Sequence, residues 1–308
     1  MSSNYDVIII GAGIMGCNTA LQLARQGLKV VLFDKEAIGA GPSGRSSAII
    51  RQHYSNKLTA RMARYSLDVF QDFDERVGGE CGYTRTGFAC VVAADDQDGL
   101  AANVALQQEV GVQTELISLE ALAEIMPAMA TGDLVSAAYE PDGGFADPYL
   151  TVTSYAAAAR RAGVVLHQGT EVTNVRFDGD TVIGVDVGAK RVNAPIVLNC
   201  GGPWGRRVAQ LAGDKTSTID VPIDSCRVQV AFFRRPAGYE ADHPVVADFV
   251  NATYFRSETG GLTLAGLVDP SEADAVVDPD RFNENTDMDF ELDVGERLIR
   301  RFPAMESS

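Results

Sequence analysis

The sequence predicts an α/β fold in which an open, mostly parallel sheet is joined to a second, mixed α+β domain. Three observations predict it. Val7–Ile10 and Val30–Phe33 are short apolar runs rich in β-branched residues, the pattern of strands buried on both faces, with a helical run between them. Ile196–Asn199 repeats the plan late in the chain: a buried strand, the turn Cys200-Gly201-Gly202-Pro203-Trp204-Gly205, and a helix to Ala212. From Val221 onward the runs lengthen, and Val228–Phe233, Val250–Arg256 and Leu262–Leu267 read as antiparallel strands.

At 308 residues the chain can hold one large domain or two ordinary ones. Its apolar fraction of 46% and charged fraction of 22% are those of a globular protein. No apolar run approaches the roughly 18 residues of a membrane span, and the first apolar run starts a strand instead of a leader, so a cytoplasmic protein is expected. A formal charge of −16 makes nucleic acid and anionic membranes poor partners. Cys17, Cys81, Cys90, Cys200 and Cys226 form no CxxC pair, and most sit in apolar surroundings, as free thiols do. His53, His167 and His243 are scattered, so no metal site is expected.

In chain order, the first helix carries Ala20, Leu23 and Ala24 at helical spacing and closes at Gly27. Residues 39–47, nearly all Gly, Ser, Pro and Ala, form a loop whose backbone can crowd a ligand. A helix follows over Leu58–Val77, with Leu58, Met62, Tyr65, Leu67, Val69 and Phe73 as its apolar stripe and core contribution. A strand covers 87–93 and a helix Asp95–Val110, its acidic start favouring the helix dipole. Ser118 opens a helix to Ile125, with Ala121 where a capping box would need an acid. Val135–Tyr139 is a strand, a turn-rich passage begins at Glu140, and an alanine-rich helix spans Pro148–Ala162. Strands follow at Val164–His167, Glu171–Phe177, Thr181–Val187 and Lys190–Val192, the Asp178-Gly179-Asp180 turn making a hairpin. The acidic stretch Asp269–Asp293 reads as a solvated loop leading into a helix that ends near Arg301.

The chemistry starts at Gly11, Gly13 and Gly16. Gly11 allows the tight strand-to-helix turn, Gly13 lets a pyrophosphate approach the backbone, and Gly16 lets the helix pack on the strand. The phosphates then meet the positive N-terminus of the helix. Asp34 ends the second strand about 20 residues on, where a carboxylate meets ribose hydroxyls. Strand, glycines, helix, strand and acid together specify a Rossmann-type dinucleotide site; a bare GxGxxG would not.

Four blocks then carry a family resemblance: Gly11–Gly16, Gly41–Tyr54 (GPSGRSSAIIRQHY), Gly143–Val152 (GGFADPYLTV) and Asn199–Gly205 (NCGGPWG). Together they resemble the D-amino acid oxidase superfamily of flavoproteins, and most of all its sarcosine oxidase β-subunit and dimethylglycine-oxidising branch. The resemblance implies FAD, held non-covalently, since no His or Cys occurs in residues 41–48. It places Gly11, Gly13, Ile14, Met15 and Gly16 at the pyrophosphate and Asp34 and Lys35 at the adenosine. Ser43, Gly44, Arg45, Ser46, Ser47 and Ala48 would run beside the flavin, Val172 would meet the adenine through its backbone, and Gly201, Gly202 and Trp204 would line the cofactor's middle. The FAD-binding domain would comprise 1–86 and 141–220, the substrate domain 87–140 and 221–300, and 301–308 a truncated tail.

The implied reaction oxidises the C–N bond of a small secondary or tertiary amine, an N-methyl or cyclic amino acid, by hydride transfer to flavin N5. Arg51 aligns with an arginine that grips the substrate carboxylate, which suits the paired donors of a guanidinium; a structural ion pair is the alternative. His53 would line the pocket or tune the amine's protonation, or else be structural. Tyr254 is either a third site residue over the flavin or a core aromatic. Thr263 stands where some relatives carry a lysine that helps reduced flavin react with oxygen, so both oxygen and a separate electron acceptor stand as oxidants. Pro148 replaces the histidine that holds covalent FMN in heterotetrameric relatives. Relatives continue past a segment like Arg301-Phe302-Pro303, so a truncated chain, or a split enzyme whose partner chain supplies the missing segment, is expected. The competing functions are a 2-hydroxy acid dehydrogenase and an FAD-binding subunit inactive alone.

Overall fold

A computed structural model describes residues 4–213, 222–239, 241–268 and 275–307. The expected change of pattern and domain border at Val221, and residues 269–274 of the acidic stretch, lie outside the described residues.

The chain opens with β1 (Val7–Ile10), α1 (Ile14–Arg25) and β2 (Val30–Phe33), then β3 (Ile49–Ile50), α2 (Lys57–Gln71), α3 (Phe73–Arg76) and β4 (Phe88–Val92). Next come α4 (Gln97–Glu109), β5 (Glu115–Ile117), α5 (Leu119–Ile125), β6 (Ser136–Glu140), β7 (Gly144–Phe145) and α6 (Pro148–Arg161). Strands β8 (Val165–His167), β9 (Asn174–Asp178), β10 (Thr181–Val187), β11 (Lys190–Asn193) and β12 (Ile196–Asn199) precede α7 (Gly205–Gln210). The chain ends with β13 (Val230–Arg234), β14 (Val245–Asp248), β15 (Thr253–Glu258), β16 (Leu262–Leu267) and α8 (Met288–Arg301).

The parallel sheet runs β12-β1-β2-β8. Every residue of β1 and β2 is buried, as their unbroken apolar runs require. Val7, Ile9, Val30 and Leu32 pack with Ala20 and Leu21 of α1 and Val152, Tyr155 and Ala159 of α6. Ile8, Ile10, Val31 and Phe33 face the other way, onto Val172, Val185 and Ala194 around the β11-β10-β9 sheet. Asp147 starts α6 by accepting the Leu150 N–H at 2.7 Å, with Pro148 at the first helical position.

A seven-stranded mixed sheet, β13-β16-β15-β14-β4-β6-β5, forms the second layer system. On one face Ala89, Val91, Val246, Phe255 and Ala265 pack against Phe290, Val294 and Leu298 of α8. Phe88, Cys90, Ala138 and Val245 occupy the other face with Leu100 and Val104 of α4. Phe302 and Met305, in the segment set apart above as a tail, are buried in the first of these cores.

Three expectations need correction. The long helix at 58–77 breaks at Asp72, and Leu58, Met62 and Tyr65 are exposed at 69%, 60% and 66%. Only Leu67 and Phe73 of the proposed stripe are buried, because α2 packs along a narrower line than its apolar periodicity suggests. The strand expected at 250–256 begins only at Thr253, as β15, because residues 249–252 turn the chain back from β14. Asp248 ends β14 by accepting the Val250 and Asn251 N–H groups, and Ala252 turns the chain at φ +48°. The acidic stretch is not a merely solvated loop: Asp278 and Asp280 pair with Arg207, and Asp287 with Arg227. Among the described residues no helix is long and apolar enough to cross a membrane. Cys17, Cys81 and Cys90 are buried free thiols, whereas Cys226 is exposed.

Candidate flavin and substrate site

The site is built where β1 and β12 end side by side. Gly11 has φ +110°, and a Cβ there would lie 2.3 Å from the Cys200 carbonyl oxygen, so the two glycine turns abut. A Cβ on Gly16 would lie 1.8 Å from the Gly11 carbonyl oxygen, which only glycine permits. Gly13 precedes α1 without a side-chain cap, leaving first-turn N–H groups to other acceptors. One of them, from Ile14, donates to Ser43 Oγ at 3.1 Å. Met15, in the same turn, is 68% exposed.

Asp34 closes the other end of the cradle. Its Oδ2 accepts the Ala12 N–H at 2.6 Å and its Oδ1 the Glu36 N–H at 2.8 Å. The carboxylate thus ties the glycine loop to β2 and keeps lone pairs for a diol. Lys35 stacks over the Trp204 ring at 4.7 Å and pairs with Asp280, to which Trp204 Nε1 also donates at 2.8 Å. Gly41 brings the loop onto this indole, where a Cβ would meet the ring at 3.3 Å. Gly201 N–H donates to Asn199 Oδ1 at 3.1 Å, and Gly202 turns the chain at φ +52°. The Val172 side chain is buried beneath the parallel sheet.

The loop between β2 and β3 connects the two halves of the molecule. Ser43 and Gly44 form a 3-10 turn, and the Ser46 hydroxyl accepts the Ala48 N–H at 3.0 Å. Arg45 is exposed and pairs with Glu284 at 3.3 Å. Ala48 sits at φ +48°, a strained conformation for a residue with a Cβ. The Ser47 carbonyl accepts from Arg256 Nε at 2.7 Å. Arg256, 2% exposed, also stacks over Phe145 at 4.4 Å and bonds Glu258 at 2.9 Å. It fastens β15 of the second sheet to the flavin-side loop, a contact the sequence reading missed although it singled out the neighbouring Tyr254.

Arg51 follows β3. Its guanidinium stacks over Tyr54 at 4.5 Å, donates to the His53 carbonyl, and lines a cavity of about 310 Å³ between β3 and α2. Ile50, Met62 and Phe70 supply apolar walls. His53 does not line this cavity; it turns inward, 9% exposed, against Phe88 and Glu140. Its Nδ1 lies 3.8 Å from Glu140 Oε1, a separation that would suit an ion pair. Burial opposes this. It lowers the His53 pKa to about 4, with Arg51 adding to the effect, and raises that of Glu140 to about 7. At neutral pH the imidazole is therefore uncharged, beside a carboxyl near its midpoint. Glu140 Oε2 accepts the Gln52 N–H at 2.8 Å, so the pair also anchors the backbone next to Arg51.

Tyr254 stands on the face of the sheet shared with Arg256, since side chains alternate along β15. Its ring covers Gly266, where a Cβ would approach it to 2.6 Å. Thr263 belongs to the opposite face. It neighbours Ala265, is 2% exposed and lies 3.4 Å from His243 Nε2. On the Tyr254 side that strand presents Leu264, the partner of Arg256 in the ladder.

Cradle, carboxylate and crossing loop meet the needs of a flavin dinucleotide, and the relatives agree. Residues 6–307 match the family described as FAD dependent oxidoreductase. The chain belongs to this family. It is 26% identical over 316 residues to the mouse pyruvate dehydrogenase phosphatase regulatory subunit, covering all of this chain and 35% of that protein. It is also 26% identical over 320 residues to human sarcosine dehydrogenase, covering all of this chain and 34% of that protein. The chain thus spans about a third of the length of these relatives. In fold it is similar to L-proline dehydrogenase from P. horikoshii, with a TM-score of 0.88 at 24% identity over all of this chain and 79% of that one. The cofactor of the family is FAD, and the cradle of Gly11, Gly13, Gly16, Ser43 and Asp34 could hold its dinucleotide.

Proposed function

We propose that this chain forms the cofactor- and substrate-binding body of an FAD-dependent oxidoreductase for a small secondary or tertiary amine bearing a carboxylate. The observation that carries the reading is Arg51. Its guanidinium lines a cavity directly after the flavin-side loop, with apolar walls of a size for a small amino acid. Bound FAD supplies the two-electron acceptor; the protein's own task is to orient the amine and exclude water. Arg51 holds the carboxylate, and Ile50, Leu67 and Phe70 give the apolar walls against which the rest of the amine lies. Glu140, titrating near neutrality, sets the backbone on which Arg51 stands. FAD is held without a covalent bond, and oxygen or another acceptor reoxidises it.

The test is anaerobic reduction of the FAD-loaded protein by sarcosine, dimethylglycine and proline, with 2-hydroxy acids as a parallel panel. Bleaching by an amine is the expected result. Arg51→Met should weaken the apparent affinity for that amine roughly 10- to 100-fold, about 1.5–3 kcal/mol. Flavin that stays oxidised with every amine would sink the reading. The mouse regulatory subunit supports a second reading, a flavin-binding subunit without amine oxidation of its own. Retained FAD that no amine or hydroxy acid reduces would favour it.

A further inference from the structure

A second cavity, of about 400 Å³, lies on the α8 face of the seven-stranded sheet, across the sheet from Tyr254 and Arg256. Its walls are apolar: Met126 after α5, Phe255 of β15, Leu298 of α8, and Phe302. Phe255 and Phe302 meet edge to face at 5.4 Å, and the His243 ring packs against both.

Into this apolar space projects Arg235, the residue after β13, which is 7% exposed. Its Nε and Nη1 have no hydrogen-bond partner among the described residues. Nη2 makes a long 3.4 Å contact to Asp242, whose side chain is 55% exposed. Burying a guanidinium with N–H groups unpaired costs several kcal/mol unless an acceptor reaches it. Arg301 at the end of α8, packed on the same sheet, shows the contrast: it is bonded to Asp248, Asp133 and the Ala130 carbonyl. Asp242 also lines the cavity at its solvent-exposed edge; the remaining polar groups, among them His243 and Thr263, carry no negative charge. His243 Nδ1 lies 2.8 Å from the Pro244 carbonyl, which can only accept, so Nδ1 carries the proton and Nε2 faces Thr263 as an acceptor. Burial holds this imidazole neutral, its pKa lowered to about 4.

We infer that this cavity is a ligand site, separate from the flavin, for a small monocarboxylate with an apolar body. The carboxylate bonds the free N–H groups of Arg235, and the apolar portion lies against Phe255, Phe302 and Leu298. An occupant there rests on Phe255, on the reverse of the strand that carries Tyr254 and Arg256, so the site has a direct structural route to the flavin side. The inference does not depend on which amine is oxidised.

The probe is 4-fluorobenzoate, titrated into the FAD-loaded full chain and followed by fluorine NMR and calorimetry, with 4-fluorobenzamide as the uncharged control. Saturable sub-millimolar binding of the acid is expected, with the amide at least about tenfold weaker. Arg235→Met should weaken the acid by a similar factor. Ala128→Trp, which fills the cavity and leaves Arg235 in place, should do likewise. Arg51→Met should change it less than about twofold, because Arg51 lines a different cavity. Loss of binding in Arg51→Met, equal binding of acid and amide, binding that survives both Arg235→Met and Ala128→Trp, or no saturation by about 10 mM would each overturn the proposal.

Discussion

The two sheets solve the same problem, a buried interior, in opposite ways. The parallel sheet has wholly apolar β1 and β2 strands and closes through glycines, where backbone meets backbone with no room for a side chain. The seven-stranded sheet buries charge. Arg301 is 1% exposed, Asp248 is 0% exposed, and Arg256 reaches across to the flavin-side loop. The first arrangement sets backbone on backbone, Gly16 against Gly11 five positions back and Gly11 against Cys200 at the end of β12. The second joins residues 53 and 209 positions apart, which orients one layer against the other.

The difference can be tested by breaking each kind of closure. The largest effect is expected from Gly16→Val, because the atom 1.8 Å from its added Cβ is backbone and cannot move aside. It should cost more than about 5 kcal/mol, or leave no soluble flavoprotein, read as soluble yield and FAD-to-protein ratio. A variant that folds and retains FAD would show that the glycine turn has slack.

Arg301→Met should cost about 3–5 kcal/mol in urea unfolding, since it leaves Asp248 and Asp133 without their shared cation. Here the FAD-to-protein ratio should hold below the unfolding midpoint, because the cradle lies in the other sheet. Loss of flavin in step with stability would mean the two layers do not respond separately.

The smallest effect concerns the pair between the layers and depends on pH. Glu140 is raised to about 7, so its contribution to stability is complete below its unfolded value near 4.5 and is lost as pH rises through about 7. His53 is lowered to about 4, so its contribution is present above 6.5 and is lost as pH falls through about 4. Glu140→Gln keeps an acceptor for the Gln52 N–H and removes the first trend. Relative to the variant, the wild type should therefore lose about 1–3 kcal/mol between roughly pH 5 and 8.5, measured as urea midpoints. Parallel profiles would show that Glu140 is already charged in the fold at the lower pH.

Legibility in the sequence followed the same divide. Gly11, Gly13, Gly16 and Asp34 were readable because their spacing between two apolar strands is itself a pattern, although Gly11 packs on Cys200 and Asp34 bonds Ala12 far along the chain. Ser43 was readable as loop chemistry, but its bond to Ile14 N–H was not, since nothing local aims a hydroxyl 29 residues back. Periodicity found α2 and misjudged which of its residues are buried: Leu58, Met62 and Tyr65 repeat at helical spacing yet stay exposed, Met62 at the rim of the Arg51 cavity. Which face of the sheet Thr263 takes was not readable, since strand parity is decided by a ladder partner. Glu140 lay unremarked at the head of a turn, 88 residues from the backbone it anchors.

By itself, then, the sequence determined the dinucleotide cradle, the family and the flavin. Those rest on short-range rules: glycines where a Cβ cannot fit, apolar runs for buried strands, an acid at a strand end. Only the tertiary structure decided which face of the sheet Tyr254 and Thr263 take, that His53 and Glu140 meet, and that Arg235 is buried with two N–H groups unpaired among the described residues. Burial and desolvation depend on what the rest of the chain folds against each group, and no local pattern carries that information.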